Sequence, residues 1–480
     1  MFNFFNKRKK NSEKNKKSRE AILKEKAVIS VMKKTGWDYD YASKKITEAG
    51  ERVGISPATY DKNDFFRFPE AEQELRYRGI IARKERKRLT KEKTIESAMQ
   101  KTGWDREHTV EQINETRKIT GITYRDYEKY NFCMIPVEDH KQRYDEILMD
   151  RKREKKESRQ KIISEVAKIT GWSEETAKEK IELARAHTGC AYKEYLIYKF
   201  YDLDEDVQKD VFKICDSKKI AEKYDVNNRF ITMLCNKELT NSCFSKYMKR
   251  PWCVNTKISM DTFIELFSNS VRIIYKPLDG NRGRGVEAFD ISEENAAEVY
   301  EMISGFPEGV VEQYVDQHHE LSDLAPSSVN TIRIVSVSSE TQPVTNDGKH
   351  MDIAYAALRI GGGESIVDNF HSGGMVAAID LETGKLVTDA ADMQGNVFSR
   401  HPVTGKTIKG FTVPFFSEAV DMVKQAYEES HIEGYLGWDI AITENGPVLI
   451  EINLRPGAVL LSMPYISEKI GMKKIMEKYL

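Results

Sequence analysis

The sequence predicts an α+β C-terminal part preceded by an all-α region built as a threefold repeat. Three observations carry this. A Thr-Gly-Trp signature recurs at a fixed period in the first 200 residues. From about residue 254 short apolar runs alternate with Gly/Asn/Pro turns. The charge balance also changes sign between the two parts: residues 1–200 hold 47 Lys+Arg against 34 Asp+Glu, and the remaining 280 hold 28 against 42. The expected division is a basic tail at 1–15, three helical repeats over 16–217 and a catalytic domain over 218–480.

The repeat rests on three features sharing one period. Thr35-Gly36-Trp37-Asp38 returns as Thr102-Gly103-Trp104-Asp105 and as Thr170-Gly171-Trp172-Ser173. Gly54-Ile55 returns as Gly121-Ile122 and Gly189-Cys190, and the basic stretches 16–26, 83–93 and 151–161 keep the same spacing. In each unit the first Gly is suited to end a helix, and Asp38, Asp105 or Ser173 to cap the next. Apolar positions then follow at helical spacing, as at Ala42, Ile46 and Ala49 or Ala177, Ile181 and Ala184. The charged helix opening each unit is poor in apolar residues and is expected to be solvated over most of its surface. Residues 201–250 read as helical, and the turn-rich segment 389–416 as an extended loop over the site.

Composition excludes several classes. With 40% hydrophobic and 31% charged residues the chain reads as soluble and globular. No run of 18 apolar residues marks a transmembrane helix, and the N-terminus lacks the apolar core of a signal peptide. The six cysteines form no CxxC pair and show no zinc spacing, so a reduced cytoplasmic protein is expected.

The chemistry concentrates in two clusters. Asp439 closes one apolar run, and Glu451-Ile452-Asn453 closes another after a turn at Glu444-Asn445-Gly446. A hairpin of this kind sets Asp439, Glu451 and Asn453 side by side, an oxygen donor set suited to Mg²⁺ beside phosphate. Upstream, Val271-Arg272-Ile273-Ile274-Tyr275-Lys276 reads as a strand ending in a lysine, followed by Pro277, Gly280, Asn281, Arg282, Gly283, Arg284 and Gly285. Such a turn lets backbone N–H groups approach phosphates while basic side chains add charge. Its spacing fits neither a P-loop nor a dinucleotide fingerprint. Arg333 and Arg359 lie in apolar strand-like runs, where a guanidinium must bury its stem and find an anion.

In the order of these clusters the chain, over roughly residues 210–480, resembles the ATP-grasp superfamily. It is most similar to the sugar-transfer-associated ATP-grasp family through Tyr275-Lys276-Pro277, Ser328-Val329-Asn330-Thr331-Ile332-Arg333 and Glu451-Ile452-Asn453-x-x-Pro456-Gly457. The stretch Arg359…Asn369-Phe370-His371-Ser372-Gly373-Gly374 is also similar to the glutamate ligases that modify a ribosomal protein. The resemblance implies an ATP-grasp domain of two α+β subdomains gripping ATP, with Mg²⁺ or Mn²⁺ held by Asp439, Glu451 and Asn453. Nucleotide contacts would come from Lys276, the loop residues Gly283, Arg284 and Gly285, the hinge Glu312-Gln313-Tyr314-Val315, and Glu320 at the ribose. Lys246, in Phe244-Ser245-Lys246-Tyr247-Met248, resembles the lysine segment that opens such domains, although Ser245 replaces the usual aspartate. Arg333, Arg359 and Arg455 would act on the γ-phosphate, the acyl phosphate or a developing oxyanion, and His371 is a candidate for acid/base work.

The implied activity is an ADP-forming carboxylate–amine ligase, acting through an acyl phosphate on a cell-surface polysaccharide or sugar precursor. Two other readings stay open: a phosphotransferase acting on a sugar or small molecule, and a nucleotide-regulated scaffold built on the repeats. The basic repeats could dock on the acidic catalytic part or a protein partner, lie on an anionic membrane at the inner face, or bind nucleic acid, in that order of preference. The N-terminal tail, with Phe2, Phe4 and Phe5 beside its Lys/Arg residues, suits interfacial contact.

Overall fold

The computed structural model describes residues 21–480 apart from 64, 68–69, 225–227, 279–284, 341, 364–372 and 467. By contact the chain divides into two compact units, residues 1–88 with 228–233, and residues 89–227 with 234–480.

In the first unit, helices α1 (21–35), α2 (Tyr39–Val53) and α3 (Pro57–Lys62) pack with the start of α4 (Glu70–Thr102). Their core is Ala27, Val28 and Val31 of α1, Ala42, Ile46 and Ala49 of α2, and Ile55, Tyr60 and Phe65.

The second unit begins with the rest of α4 and continues through α5 (Arg106–Thr120), α6 (Tyr124–Lys129), α7 (His140–Thr170), α8 (Glu174–Thr188) and α9 (Tyr192–Ile197). Each repeat uses the same devices. Gly36, Gly103 and Gly171 stop the long helix at φ 76, 73 and 74°, the left-handed region where glycine carries no Cβ penalty. Asp38, Asp105 and Ser173 then accept the N–H of Tyr41, His108 and Thr176 as N-caps. One side chain per repeat, buried for Gln73 and His140 and half-buried for Gln208, ties down the aromatic 3₁₀ turn: Gln73 bonds Phe65 O, His140 bonds Phe132 O, and Gln208 bonds Phe200 O. These three positions obey the repeat period, although sequence alone does not pair a histidine with two glutamines.

The long helices have a division of labour that the sequence reading places only at the start of each unit. Ile147 near the start of α7 belongs to the core of the second repeat, and Ile163 and Val166 near its end belong to the core of the third. Between them every residue from 151 to 161 is exposed. Serving two cores with its ends and none with its middle explains why the helix is 31 residues long and so polar.

Helices α10 (Glu205–Asp210), α11 (Ile214–Lys223), α12 (Asn228–Leu234), α13 (Lys237–Cys243) and α14 (Ser245–Met248) lead into two antiparallel sheets. Strands β1 (Trp252–Val254), β2 (Arg272–Pro277), β3 (Glu287–Asp290) and β4 (Gly309–Gln313) form the smaller one in the order β1-β4-β2-β3, backed by α15 (Met260–Phe267) and α16 (Ala296–Ser304). After α17 (His319–Leu324) come β5 (Thr331–Ser338), β6 (Met351–Ile360), β7 (Met375–Ile379), β8 (Ala390–Asp392) and β9 (Val397–Phe398). Helix α18 (Phe416–Ser430), β10 (Gly434–Thr443), β11 (Gly446–Leu454), α19 (Ala458–Ile466) and α20 (Lys473–Met476) complete the chain. The larger sheet has the order β11-β10-β5-β6-β7-β8-β9.

The third repeat shares one hydrophobic core with this sheet: Ile181, Tyr198 and Phe200 join Val335, Val337, Tyr355, Tyr435 and Leu461. Ser462 Oγ donates to Phe212 O at 2.6 Å across the same junction. The expected loop over 389–416 is corrected. Its first part supplies β8 and β9 at the sheet edge, and Arg400 bridges back to Thr407. The Gly and Pro residues punctuate short edge strands there. Among the described residues no helix is long and apolar enough to cross a membrane. None of the six cysteines, all of them among the described residues, forms a disulfide.

Candidate active site

The predicted hairpin is β10–β11, and its register sets Asp439 opposite Glu451 and Gly437 opposite Asn453. On the other side of β10, Asp439 stands opposite Arg333 of β5. A register shift after Asp439 marks a β-bulge, a local kink of the kind that re-aims side chains. Pairing and bulge bring four polar groups to one spot in an otherwise apolar sheet.

Arg333 grips Asp439 with two nitrogens, Nε on Oδ1 and Nη2 on Oδ2, the latter at 2.9 Å. Arg359 Nη1 donates to Oδ2 at 3.0 Å, and Asn453 Nδ2 donates to the same oxygen at 3.0 Å. Burial alone would push the Asp439 carboxyl up, but the two guanidiniums hold it below the usual carboxylate range. The backbone makes room for this: a Cβ on Gly437 would lie 3.0 Å from Arg333 Cδ and 3.2 Å from Pro456 Cβ.

Glu451 behaves oppositely. The residue is exposed, although protein groups surround its carboxyl. Burial first, and the Asp439 charge second, push its carboxyl up; Lys237, Lys276 and Arg333 pull against them. Lys276 belongs to the smaller sheet and Glu451 to the larger, so the charges of the two sheets act on one another.

A second ion-pair cluster anchors Lys276. Its Nζ lies 2.8 Å from Glu312 Oε2. Arg250 donates to the same oxygen through Nε at 3.0 Å and through Nη2, and Asn241 Nδ2 bonds Oε1 at 3.0 Å. Burial would raise the Glu312 carboxyl, but Arg250 and Lys276 hold it well below its ordinary value. Sequence reasoning missed Arg250, Asn241 and Lys237. The one available signal was an arginine beside Pro251-Trp252 at the entry to a strand.

The remaining expected site residues divide. Lys246 is placed elsewhere: it is exposed and pairs with Glu429 of α18, and Arg250, four residues on, stands beside Glu312 instead. In the expected hinge, the Glu312 side chain is taken by its cations. The N–H groups of Gln313 and Tyr314 already bond Pro251 O and Arg272 O, so those two are engaged within the protein. Glu320 is exposed at the start of α17, its N–H bonding His318 Nδ1, beside a His319–Glu444 contact of 2.9 Å. Arg455 is exposed just past β11 at φ 56°. Gly285 turns at φ 70°, and a Cβ there would lie 3.0 Å from Pro277 Cγ. Gly283, Arg284 and His371 lie outside the described residues.

The named side chains put five cations (Lys237, Arg250, Lys276, Arg333, Arg359) against three carboxylates (Glu312, Asp439, Glu451). That excess suits a polyanion such as a nucleoside triphosphate. The donor set also fits a hard divalent cation: Glu451 and Asp439 face each other with one pushed up by the other, a repulsion that a dication relieves.

Residues 222–475, more than half of the chain, match the family described as sugar-transfer associated ATP-grasp. No curated protein matches the sequence. Solved structures similar to the chain include D-alanine–D-alanine ligase from Bacillus anthracis, at 13% identity and TM-score 0.30 over 52% of this chain and 66% of that one. They also include N5-carboxyaminoimidazole synthetase from Staphylococcus aureus complexed with ADP, at 12% and 0.30 over 50% and 53%. A third is the biotin carboxylase domain of 2-oxoglutarate carboxylase from Hydrogenobacter thermophilus, at 12% and 0.33 over 52% and 46%. The chain thus spans roughly half to two thirds of the length of these proteins. With its two antiparallel sheets, its C-terminal half an ATP-grasp region and its N-terminal region mostly helical, the chain belongs to the sugar-transfer-associated ATP-grasp family.

Proposed function

We propose that the protein is an ATP- and Mg²⁺-dependent carboxylate–amine ligase that forms an amide bond through an acyl phosphate. The observation that carries this reading is the placing of Asp439 opposite Glu451 in the β10–β11 hairpin, with Arg333 and Arg359 gathered on Asp439. Lys276, Arg333 and Arg359 would hold the triphosphate. Glu451, Asp439 and Asn453 would hold the metal, which supplies charge neutralisation on the β- and γ-phosphates.

A substrate carboxylate oxygen attacks the γ-phosphorus, the bond to the β–γ bridging oxygen breaks, and ADP leaves. The amine nitrogen then attacks the acyl carbon, inorganic phosphate leaves, and the nitrogen loses a proton to solvent. Arg333 and Arg359 stabilise charge on the transferring group, so the protein acts by positioning and electrostatics, with no covalent nucleophile of its own. Val315 and Glu320 are assigned to the adenine and ribose, and Gly283, Arg284 and Gly285 to the phosphate loop. Arg455 is assigned to the developing oxyanion. A sugar or cell-surface glycan precursor as acceptor rests on the family's description, and peripheral membrane contact rests on the basic repeats.

The test is ³¹P NMR of ATP turnover against a pool of amino acids and sugar acids, with Asp439→Asn and Glu451→Gln as controls. ADP and free phosphate that appear only when carboxylate and amine are both present, and vanish in the variants, support the ligase. A stable phosphorylated product would replace it with a phosphotransferase.

A further inference from the structure

The exposed middle of α7 carries an ordered charge pattern. At about 100° per residue, Arg151, Lys152, Lys155, Lys156 and Arg159 fall within one arc of roughly 140° and a length of about 12 Å. Glu154 and Glu157 point the other way. All eleven residues from 151 to 161 are exposed. Arg151 bonds Tyr130 Oη at 3.2 Å with Asp126 at 3.6 Å, and Arg159 lies over the Tyr192 ring at 5.3 Å, which orients both ends of the stripe.

Helix α4 repeats the stripe. Sixty-eight residues earlier, the spacing that relates Trp104 to Trp172, the same five positions are Arg83, Lys84, Lys87, Arg88 and Lys91. Lys91 lies 6.0 Å from the ring of Tyr124, the counterpart of Tyr192. Interleaved positions do not keep their sign: Arg153 matches Glu85, Glu154 matches Arg86, and Glu157 matches Leu89. Two repeats that have diverged at the interleaved positions retain five cations out of five at these sequence positions.

We propose that the α7 stripe is a contact surface for an anionic phospholipid bilayer. What selects a membrane is an apolar group just before the stripe, at a position that is apolar in both repeats. Met149 is 67% exposed and Leu148 36%, and Ile81, the counterpart of Met149, is 45% exposed. An apolar tip followed by a cationic stripe is the composition of an interfacial contact. A nucleic-acid surface would call for aromatic stackers or amide readers on the arc, and the arc holds neither.

The test uses the full chain and vesicle flotation, which needs no nucleotide and so stands apart from the ligase reading. The probes are vesicles of phosphatidylcholine alone, vesicles containing phosphatidylserine, and short duplex DNA. The variants are Lys155→Gln/Lys156→Gln on the stripe and Arg153→Gln/Lys161→Gln on the opposite face. Expected are salt-sensitive binding to phosphatidylserine vesicles only, a loss of roughly 30-fold in the stripe variant, and little change in the control. No vesicle binding at low salt, equal losses in the two variants, or binding of the duplex in preference to vesicles would each overturn the proposal.

Discussion

Replacing Glu312 with glutamine tests the electrostatic construction of the cleft directly. The Glu312 side chain is 2% exposed, Arg250 4% and Lys276 15%, so the three charges sit together in a low-dielectric setting. Glutamine keeps the volume and a carbonyl for Asn241, but leaves two cations facing each other without a counter-charge. Breaking a buried ion pair from one side costs about 3–5 kcal/mol. For a domain of this size, 1 kcal/mol moves the melting temperature by about 2–4 °C, so the expected loss is roughly 6–20 °C. ATP brings its own negative charge, so added ATP should raise the melting temperature more in Glu312→Gln than in the native chain. Both quantities come from thermal unfolding with and without nucleotide. The pH dependence has a definite sign. Glu312 is held below its ordinary value, so its stabilisation is present above the unfolded carboxylate pKa and is lost only as pH falls through the depressed folded one. The gap between the two proteins should therefore persist at neutral pH and close in strong acid. A melting temperature within about 2 °C of native, or equal ATP shifts, would refute the reasoning.

Other perturbations separate the remaining parts of the site. Gly437→Ala drives a Cβ to 3.0 Å from Arg333 Cδ, so ATP turnover should drop on the order of 10–100-fold with a stability cost of about 1–3 kcal/mol, read by steady-state kinetics and unfolding. Glu451 is pushed up by burial and by Asp439, so protons should compete with the metal at a higher pH than for an ordinary carboxylate. Mg²⁺ affinity by calorimetry should weaken as pH falls towards 5, and Glu451→Gln should flatten that dependence. Lys246→Ala should leave nucleotide affinity nearly unchanged, because that lysine is exposed and paired with Glu429. Lys276→Ala should weaken affinity by about 10-fold or more, and equal effects from the two lysines would contradict the placement.

How much was legible in the sequence depended on whether a residue's signal was local. The repeats were readable because each boundary is set by its own neighbours: glycines in the left-handed region and Asp or Ser caps three residues from their donors. The hairpin carrying Asp439 and Glu451 was readable for the same reason, with two strands, one turn and a register fixed by both. Arg333 and Arg359 stood out because an arginine in an apolar strand needs an anion. Nothing in the sequence signals that Lys246 partners Glu429, because a short motif with a substituted first residue does not show where its lysine pairs. Asn241 and Lys237 come from helix α13 and Arg250 from a linker, and their relation to Glu312 and Glu451 exists only once the smaller sheet is folded.

The residues that local reading missed also show why the cleft is built as it is. Five cations brought together without partners would repel one another in a poorly screened space. Glu312 and Asp439 each pair with two of them and offset half of that charge, which lowers the repulsion before any ligand arrives. Among the described residues Glu451 has no ion-pair partner: burial and then Asp439 push it up, and Lys237, Lys276 and Arg333 pull against them. Two carboxylates therefore hold the cations in position, and the third is left at a raised energy in its charged form. A dication at Glu451 and Asp439 would relieve that carboxylate and loosen the hold of Asp439 on Arg333 and Arg359, making both guanidiniums available to phosphate. Metal and nucleotide should thus strengthen each other's binding, and by thermodynamic linkage the factor must be the same in both directions.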